Sequence, residues 1–195
     1  MIVGVMSIQG DVSEHYNSMV KAFEQYKING TVVNITEAAD LDGHFDGIII
    51  PGGESTVIRR YMVMNDMYSK LRDMYNHGTV FFGTCAGAIL LSKHILNYDM
   101  DTLGFIDAYI NRNGYGRQKD SFEIDLDIYG FDKQFHAIFI RAPIIEKVSS
   151  NVKVLSTFED KPVLAKSDKV LISTFHPELT SDYRLHKLFI DMIKQ

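Results

Sequence analysis

Residues 81–90 read FFGTCAGAIL, and the turn at their centre decides the fold. The residues from Thr79 to Phe82 suit a buried strand. The small and aliphatic residues from Ala86 to Ile95 suit a helix. A strand that enters a helix through Gly83-Thr84-Cys85-Ala86-Gly87 is one unit of an α/β sheet. Working outward, the same alternation recurs. Ile2–Ile8 is an apolar run ended by Gln9-Gly10, hence a strand. Val12–Tyr26 carries Val12, Tyr16, Met19, Val20 and Phe23 at helical spacing. Thr31–Ile35 is β-branched and reads as a second strand. Asp46–Ile50 is a third, closed by Pro51-Gly52-Gly53. A long amphipathic helix is expected from Ser55 to Tyr75, with Ile58, Tyr61, Met62, Met67, Leu71 and Met74 on one side. The sum is a three-layer α/β architecture, an open and mostly parallel sheet covered on both faces.

The rhythm changes after about residue 100. Phe105–Asn111, Phe122–Ile128, His136–Ile140, Val152–Phe158, Val163–Ala165 and Val170–Thr174 read as strands with little helix between them, and Asp182–Ile193 as a final helix. The second half is therefore expected to add antiparallel strands to the open sheet. Without an internal repeat or linker, residues 1–195 are expected to form a single domain.

The chain is 46% hydrophobic and 23% charged, an ordinary globular composition. Its net charge of −5 argues against nucleic-acid binding through phosphate neutralisation. One cysteine cannot form an intrachain disulfide, which fits a reducing compartment. MIVGVMSIQG lacks the basic start of a signal peptide, and no apolar run reaches membrane-spanning length. The expected location is the cytoplasm, with no membrane partner.

The chemistry lies in the turns. In open α/β sheets, ligands bind beyond the carboxyl ends of the strands, where Cys85 sits. Strand, G-x-C-x-G and helix together have the form of a nucleophile elbow with cysteine in place of serine. Glycines on both sides let strand and helix pass closely. A helix N-terminus favours thiolate, and the Ala86 N–H is free to face an oxyanion. A lone G-x-C-x-G equally suits a small buried hydrophobe, as free cysteine usually is. A thiol nucleophile needs a base, and the base needs an orienting group. Six of the seven histidines, His15 among them, lack a distinctive local pattern and read as ordinary structural or solvated residues. His176 follows the apolar strand 170–174 and precedes Pro177-Glu178. In an extended stretch, residues i and i+2 share a side, so Glu178 can approach the His176 ring. No further ligands stand at regular spacing, so neither a metal nor a cofactor is expected. Pro51-Gly52-Gly53-Glu54-Ser55 also follows a strand. Its N–H groups can complete an oxyanion hole at Gly53, and Ser55 suits a helix N-cap. No G-K-[ST] follows, so it is not a Walker A loop.

These residues resemble the class I (triad) glutamine amidotransferases. The stretches VGVMSIQGDVSEH, IPGGEST, FFGTCAGAILL, NRNGYGRQKDSFE, IFIRAP and STFHPELT resemble in particular the PdxT family, the glutaminase subunits of pyridoxal 5′-phosphate synthase. The likeness runs from residue 3 to residue 180. It implies a flavodoxin-like class I amidotransferase fold. It also implies hydrolysis of L-glutamine to glutamate and ammonia, with ammonia channelled to a PdxS-type (β/α)₈-barrel synthase subunit. Carried over, Cys85 is the nucleophile, and His176 and Glu178 complete the triad. Gly53, Glu54, Ser55, Arg112, Ile140 and Arg141 bind substrate, Gly53 and Ala86 form the oxyanion hole, and the region of Gln9 meets the synthase. Gly114 and Tyr115 depart from the Ser or Ala and aromatic of many relatives, and Asn97–Asp101 is a locally variable connection. Two other readings stay open: a glutaminase serving another synthase, such as that of imidazole glycerol phosphate, and a non-catalytic thiol sensor or binding module.

Overall fold

The computed structural model describes residues 1–112, 114 and 121–195. Tyr115 and most of the stretch RNGYGRQ therefore lie outside the described residues. The first half alternates as expected: β1 (Ile2–Met6), α1 (Val12–Gln25), β2 (Thr31–Ile35), β3 (Gly47–Ile50), α2 (Ser55–Met64), α3 (Met67–Asn76), β4 (Val80–Thr84) and α4 (Ala86–Leu91). Then come β5 (Ser92–Ile95), β6 (Ile106–Asn111), β7 (Ser121–Leu126), β8 (Phe135–Ile140), β9 (Ile144–Val148), β10 (Lys153–Phe158), β11 (Lys161–Lys166), β12 (Val170–Ser173) and α5 (Arg184–Ile193).

Seven strands form one open sheet in the order β10-β11-β12-β4-β3-β1-β2. From β12 to β2 every pairing is parallel, and β10 and β11 are attached antiparallel. Strand alternation sends Ile48, Ile50, Phe81 and Ile172 to one core, with α2, α3 and α4. It sends Ile49, Phe82 and Leu171 to the other, with α1 and α5. These are the three layers the sequence implies.

Four expectations change. The helix read over 55–75 is two helices, because Asp66 adopts a left-handed φ of 54°. The Asn65 side chain donates to the Tyr61 carbonyl (2.9 Å), occupying an acceptor of the last α2 turn. The helix read to Ile95 stops at Leu91. Ser92 turns its hydroxyl back onto the Ala88 carbonyl (2.7 Å), and Ser92–Ile95 pairs parallel with β6. Strand β9 was not expected and pairs antiparallel with β6. Of the antiparallel strands, only β10 and β11 join the open sheet. The strands β5, β6 and β9 form a separate three-stranded sheet, and β7 and β8 a hairpin. No helix among the described residues is long and apolar enough to cross a membrane.

The connection from β4 to α4 is made at backbone contact. A Cβ on Gly83 would lie 2.5 Å from the Gly87 carbonyl carbon, and one on Gly87 would lie 1.9 Å from the Ile50 carbonyl oxygen. Both obstacles are main chain, so no side-chain rotation relieves them. Gly87→Ala is expected to lower the unfolding free energy by about 3 kcal/mol, the upper end for overpacking, or to prevent folding. Urea denaturation measures it, and an unchanged midpoint would mean that α4 can shift away from β3.

His186 on α5 is fully buried beside Phe82, His15 and Tyr183, and neither of its ring nitrogens has a hydrogen-bond partner among the described residues. Burial, with His15 nearby, pushes its pKa down to about 3 from an ordinary 6.5. A depressed pKa means that the unfolded chain binds the proton first as pH falls. The resulting stability is complete above pH 6.5 and is lost on acidification. His176, whose pKa lies above 6.5, is protonated in both states below that pH and adds no slope there. Glu178 titrates below 4.5 and adds a loss only there. Unfolding midpoints should therefore fall between pH 6.5 and 4.5 with the slope of about one proton, and His186→Phe should flatten that slope. A slope unchanged in that variant would assign it to another group.

Candidate active site

The site forms where β4 and β12, neighbours in the sheet, both end. Cys85 follows β4 with φ 48° and ψ −103°, a conformation that non-glycine residues rarely adopt. Its N–H donates to the Ser173 carbonyl of β12 (2.8 Å), which ties the elbow to the adjacent strand. Such backbone strain costs roughly 1–3 kcal/mol and persists only where the surroundings impose it. Here they lift Cys85 out of the sheet and place its Sγ 3.9 Å from the Ile140 carbonyl oxygen. Ala86 begins α4, where the first N–H groups have no intrahelical acceptor.

His176 lies three residues beyond β12, and its N–H donates to the Ile138 carbonyl of β8 (2.8 Å). The ring nitrogen Nδ1 sits 2.8 Å from Oε1 of Glu178. The sequence led to that pair through an extended i, i+2 geometry. The structure makes it differently: Pro177–Leu179 form one 3₁₀ turn that folds Glu178 back onto the ring. Both side chains are buried, 4% and 0% exposed, so the carboxylate depends on protein partners for its charge. Asp11 also faces Nδ1, with Oδ2 at 3.1 Å. Burial opposes charge on the imidazole, but hydrogen bonding to Asp11, Cys85 and Glu178 outweighs it and raises the His176 pKa to about 12. Burial likewise opposes charge on Glu178, and His15 and His176 overcome it, holding the carboxyl well below its usual range. The ligand atoms of Asp11, His176 and Glu178 lie within 4.8 Å of one another, a spacing that an imidazolium between two carboxylates accounts for. With Nδ1 engaged, Nε2 is the nitrogen left to Cys85.

Cys85 and His176 line one cavity of about 440 Å³ together with Gly53, Glu54, Ser55, Arg112, Ile140 and Arg141. Every substrate-binding candidate read from the sequence thus borders the same space as the thiol, and Glu178 stands behind His176. Ser55 is the first residue of α2 rather than its N-cap; Glu54 holds the cap position. The Glu54 N–H donates to Oε1 of Gln9 (3.1 Å). A Cβ on Gly52 would lie 2.5 Å from His176 Cε1, so the Gly52-Gly53 turn packs against the edge of the imidazole. Arg112 donates its N–H to Asn97 (3.1 Å) and lays its guanidinium 4.5 Å from the Tyr98 ring centre. The connection through Asn97 and Tyr98 is thus what holds Arg112. Arg141 adopts a left-handed φ of 44° at the end of β8.

Sequence reasoning missed two residues. Asp11 stands in no motif of its own, and His15 has no distinctive local pattern, although its Nε2 lies 2.8 Å from Thr84 Oγ1 and 3.2 Å from Glu178 Oε2. The available signal was their spacing. Residues 11 and 15 are one helical turn apart at the start of α1, so both face the strand ends.

Known proteins resemble this chain over its whole length. The family model described as the SNO glutamine amidotransferase family matches residues 5–195. The pyridoxal 5′-phosphate synthase subunit PdxT of Thermosipho africanus is 46% identical over the whole of both chains. That of Thermotoga maritima is 45% identical, again over the whole of both. A crystal structure of a glutamine amidotransferase superposes over the whole of both chains with a TM-score of 0.88 at 39% identity. The family match spans nearly all of the sequence: this chain belongs to the SNO glutamine amidotransferase family.

Proposed function

We propose that this chain is the glutaminase subunit of a pyridoxal 5′-phosphate synthase, acting as a single domain over residues 1–195. It hydrolyses L-glutamine to L-glutamate and ammonia, and a PdxS-type (β/α)₈-barrel subunit receives the ammonia. The observation that carries the reading is the opening of Cys85, on its strained turn, into the same cavity as the Glu178-paired His176.

The chemistry follows from the positions. The Cys85 thiolate attacks the side-chain amide carbon of glutamine, and the carbonyl oxygen takes the negative charge. The N–H groups of Ala86 and Gly53 receive that oxyanion. An imidazolium at His176 is the acid that the leaving nitrogen needs. Its proton passes to the amide nitrogen, the C–N bond breaks and ammonia departs, leaving a γ-glutamyl thioester. The now neutral imidazole takes a proton from water, the hydroxide attacks the thioester, the C–S bond breaks, and glutamate leaves, its carboxyl proton lost to solvent, as the thiolate–imidazolium pair is restored. Glu178 fixes the ring and offsets its charge in both halves of the cycle. Arg112 and Arg141 suit the α-carboxylate of glutamine, since a guanidinium can grip a carboxylate with two N–H groups.

Free hydrolysis would waste glutamine, so activity is expected to stay low until the synthase docks. The contacts of the Gln9–Asp11 segment support such control. Gln9 holds the Glu54 N–H, Gly10 packs where a Cβ would meet the Gly52 carbonyl oxygen at 1.7 Å, and Asp11 faces His176. A partner that moves this segment reaches both the oxyanion turn and the base. A peptide rearrangement at Gly52-Gly53 would then complete the hole.

Ammonia release from L-glutamine, measured with and without the synthase subunit, tests this. Stimulation by the synthase is expected, and Cys85→Ala should abolish release while leaving the fold intact. Glu178→Gln should reduce the rate less than His176→Asn, because the orienting group contributes less than the base. All three variants should leave the complex working on added ammonium salts. No release from reduced wild-type protein under either condition would favour a thiol sensor or binding module.

A further inference from the structure

Glu178 has two oxygens, and the proposed triad uses one. Oε1 meets His176, while Oε2 is buried and has no aligned hydrogen bond. The nearest charged or titratable group on that side is His15 of α1, fully buried, with Nε2 at 3.2 Å. The same Nε2 lies 2.8 Å from Oγ1 of Thr84, the buried residue directly before Cys85. The other nitrogen, Nδ1, has no partner among the described residues. This fixes where the proton sits. A lone pair on Nε2 would face an ionised carboxylate at 3.2 Å and repel it, whereas an N–H there serves both Oε2 and the Thr84 hydroxyl. His15 is also held from behind, edge-on to Phe82 at 6.1 Å and 6.0 Å from the ring of His186.

We infer that His15 is a positioning residue for the proposed glutaminase site: its Nε2–H holds the second oxygen of Glu178 and joins the base-orienting carboxylate to the strand end that carries the nucleophile. His15 touches neither the cavity nor the reacting atoms, and it acts through Glu178. Without it, Oε2 would be a buried carboxylate oxygen with no donor, and the carboxyl would take up a proton at higher pH. A neutral carboxyl holds His176 as imidazolium less strongly, leaving Asp11 as the remaining carboxylate at Nδ1. The other titratable groups facing this carboxyl and its neighbours are Asp11, His176 and, from the α5 side, His186 and Asp182. None of them is placed to supply a donor to Oε2.

This inference rests on the glutaminase reading, and the experiment separates the two. His15→Phe and His15→Gln are compared with wild type in complex with the synthase. The measurements are kcat and KM for glutamine across pH, and the pH dependence of Cys85 alkylation by iodoacetamide in the isolated chain. His15→Phe should lower kcat about tenfold or more, the loss of one hydrogen bond to a charged group, with KM changed far less. The acid limb of its activity profile and the alkylation profile should both move to higher pH. His15→Gln keeps an N–H that can reach Oε2 and should recover much of the rate and the wild-type limb. A folded His15→Phe with wild-type kcat and unmoved profiles overturns the inference, as do equal losses in Phe and Gln with an unmoved acid limb. If His15→Phe does not fold, His15→Asn, whose shorter amide falls short of Oε2, takes its place with the same expectations. Failure of the glutaminase reading looks different: wild type releases no ammonia, and the alkylation profiles alone then decide the role of His15.

Discussion

A buried carboxylate sets the terms for the rest of this molecule. Glu178 is closed off from water, and an ion so placed is tolerated only when protein groups replace its hydration. Those groups come from elements far apart in sequence. His176 arrives on the extension of β12, and His15 on the first turns of α1. The Ser18 hydroxyl of α1 reaches the Glu178 backbone carbonyl at 3.3 Å. Removing one partner from such a buried pair typically costs about 3–5 kcal/mol, because it leaves an uncompensated charge. The arrangement therefore ties α1 to the strand ends. The group proposed to orient the base is also one on which the local fold depends.

The Cys85 side is built by the opposite device, the removal of atoms. Cys85 keeps a costly backbone conformation because β4 and α4 meet through Gly83 and Gly87 with no room for a side chain, and the Cys85 N–H is claimed by Ser173. Gly52 extends the same economy to the base, since a Cβ there would overlap the edge of the His176 ring. Ion pairing fixes the base and absent β-carbons fix the thiol. The two meet because β4 and β12 are parallel neighbours, with Ser173 in register with Thr84.

How much of this could be read beforehand depends on whether the cause is local. The parallel half of the sheet was legible because its strands are apolar or β-branched runs, several of them ended by glycine or proline, and each helix has its own periodicity. The break at Asn65-Asp66 was less legible. Tyr61, Met62 and Met67 continue an apolar stripe across it, and only the tolerance of Asn and Asp for left-handed and capping geometry argues for a stop. The conversion of Ser92–Ile95 from helix to strand was not legible at all. It is decided by β6, which lies more than ten residues further on and offers a parallel edge. Pairing between distant segments overrides helix propensity there, and no window on one segment contains that information.

The site shows the same division. Cys85, His176 and Glu178 were found because each stands in a turn after a strand, where short motifs carry meaning. Asp11 and His15 were missed because their importance comes from what they face. On the helix surface, Asp11 and His15 form an unremarked i, i+4 pair, common on any solvated α-helix. Only the docking of α1 over the ends of β4 and β12 turns that pair inward, putting one member on His176 and the other on Glu178. Motif reading therefore recovers the groups proposed to react. The groups that hold them in place become visible only when charge satisfaction is counted atom by atom in three dimensions, where a single unclaimed carboxylate oxygen leads directly to the histidine beside it.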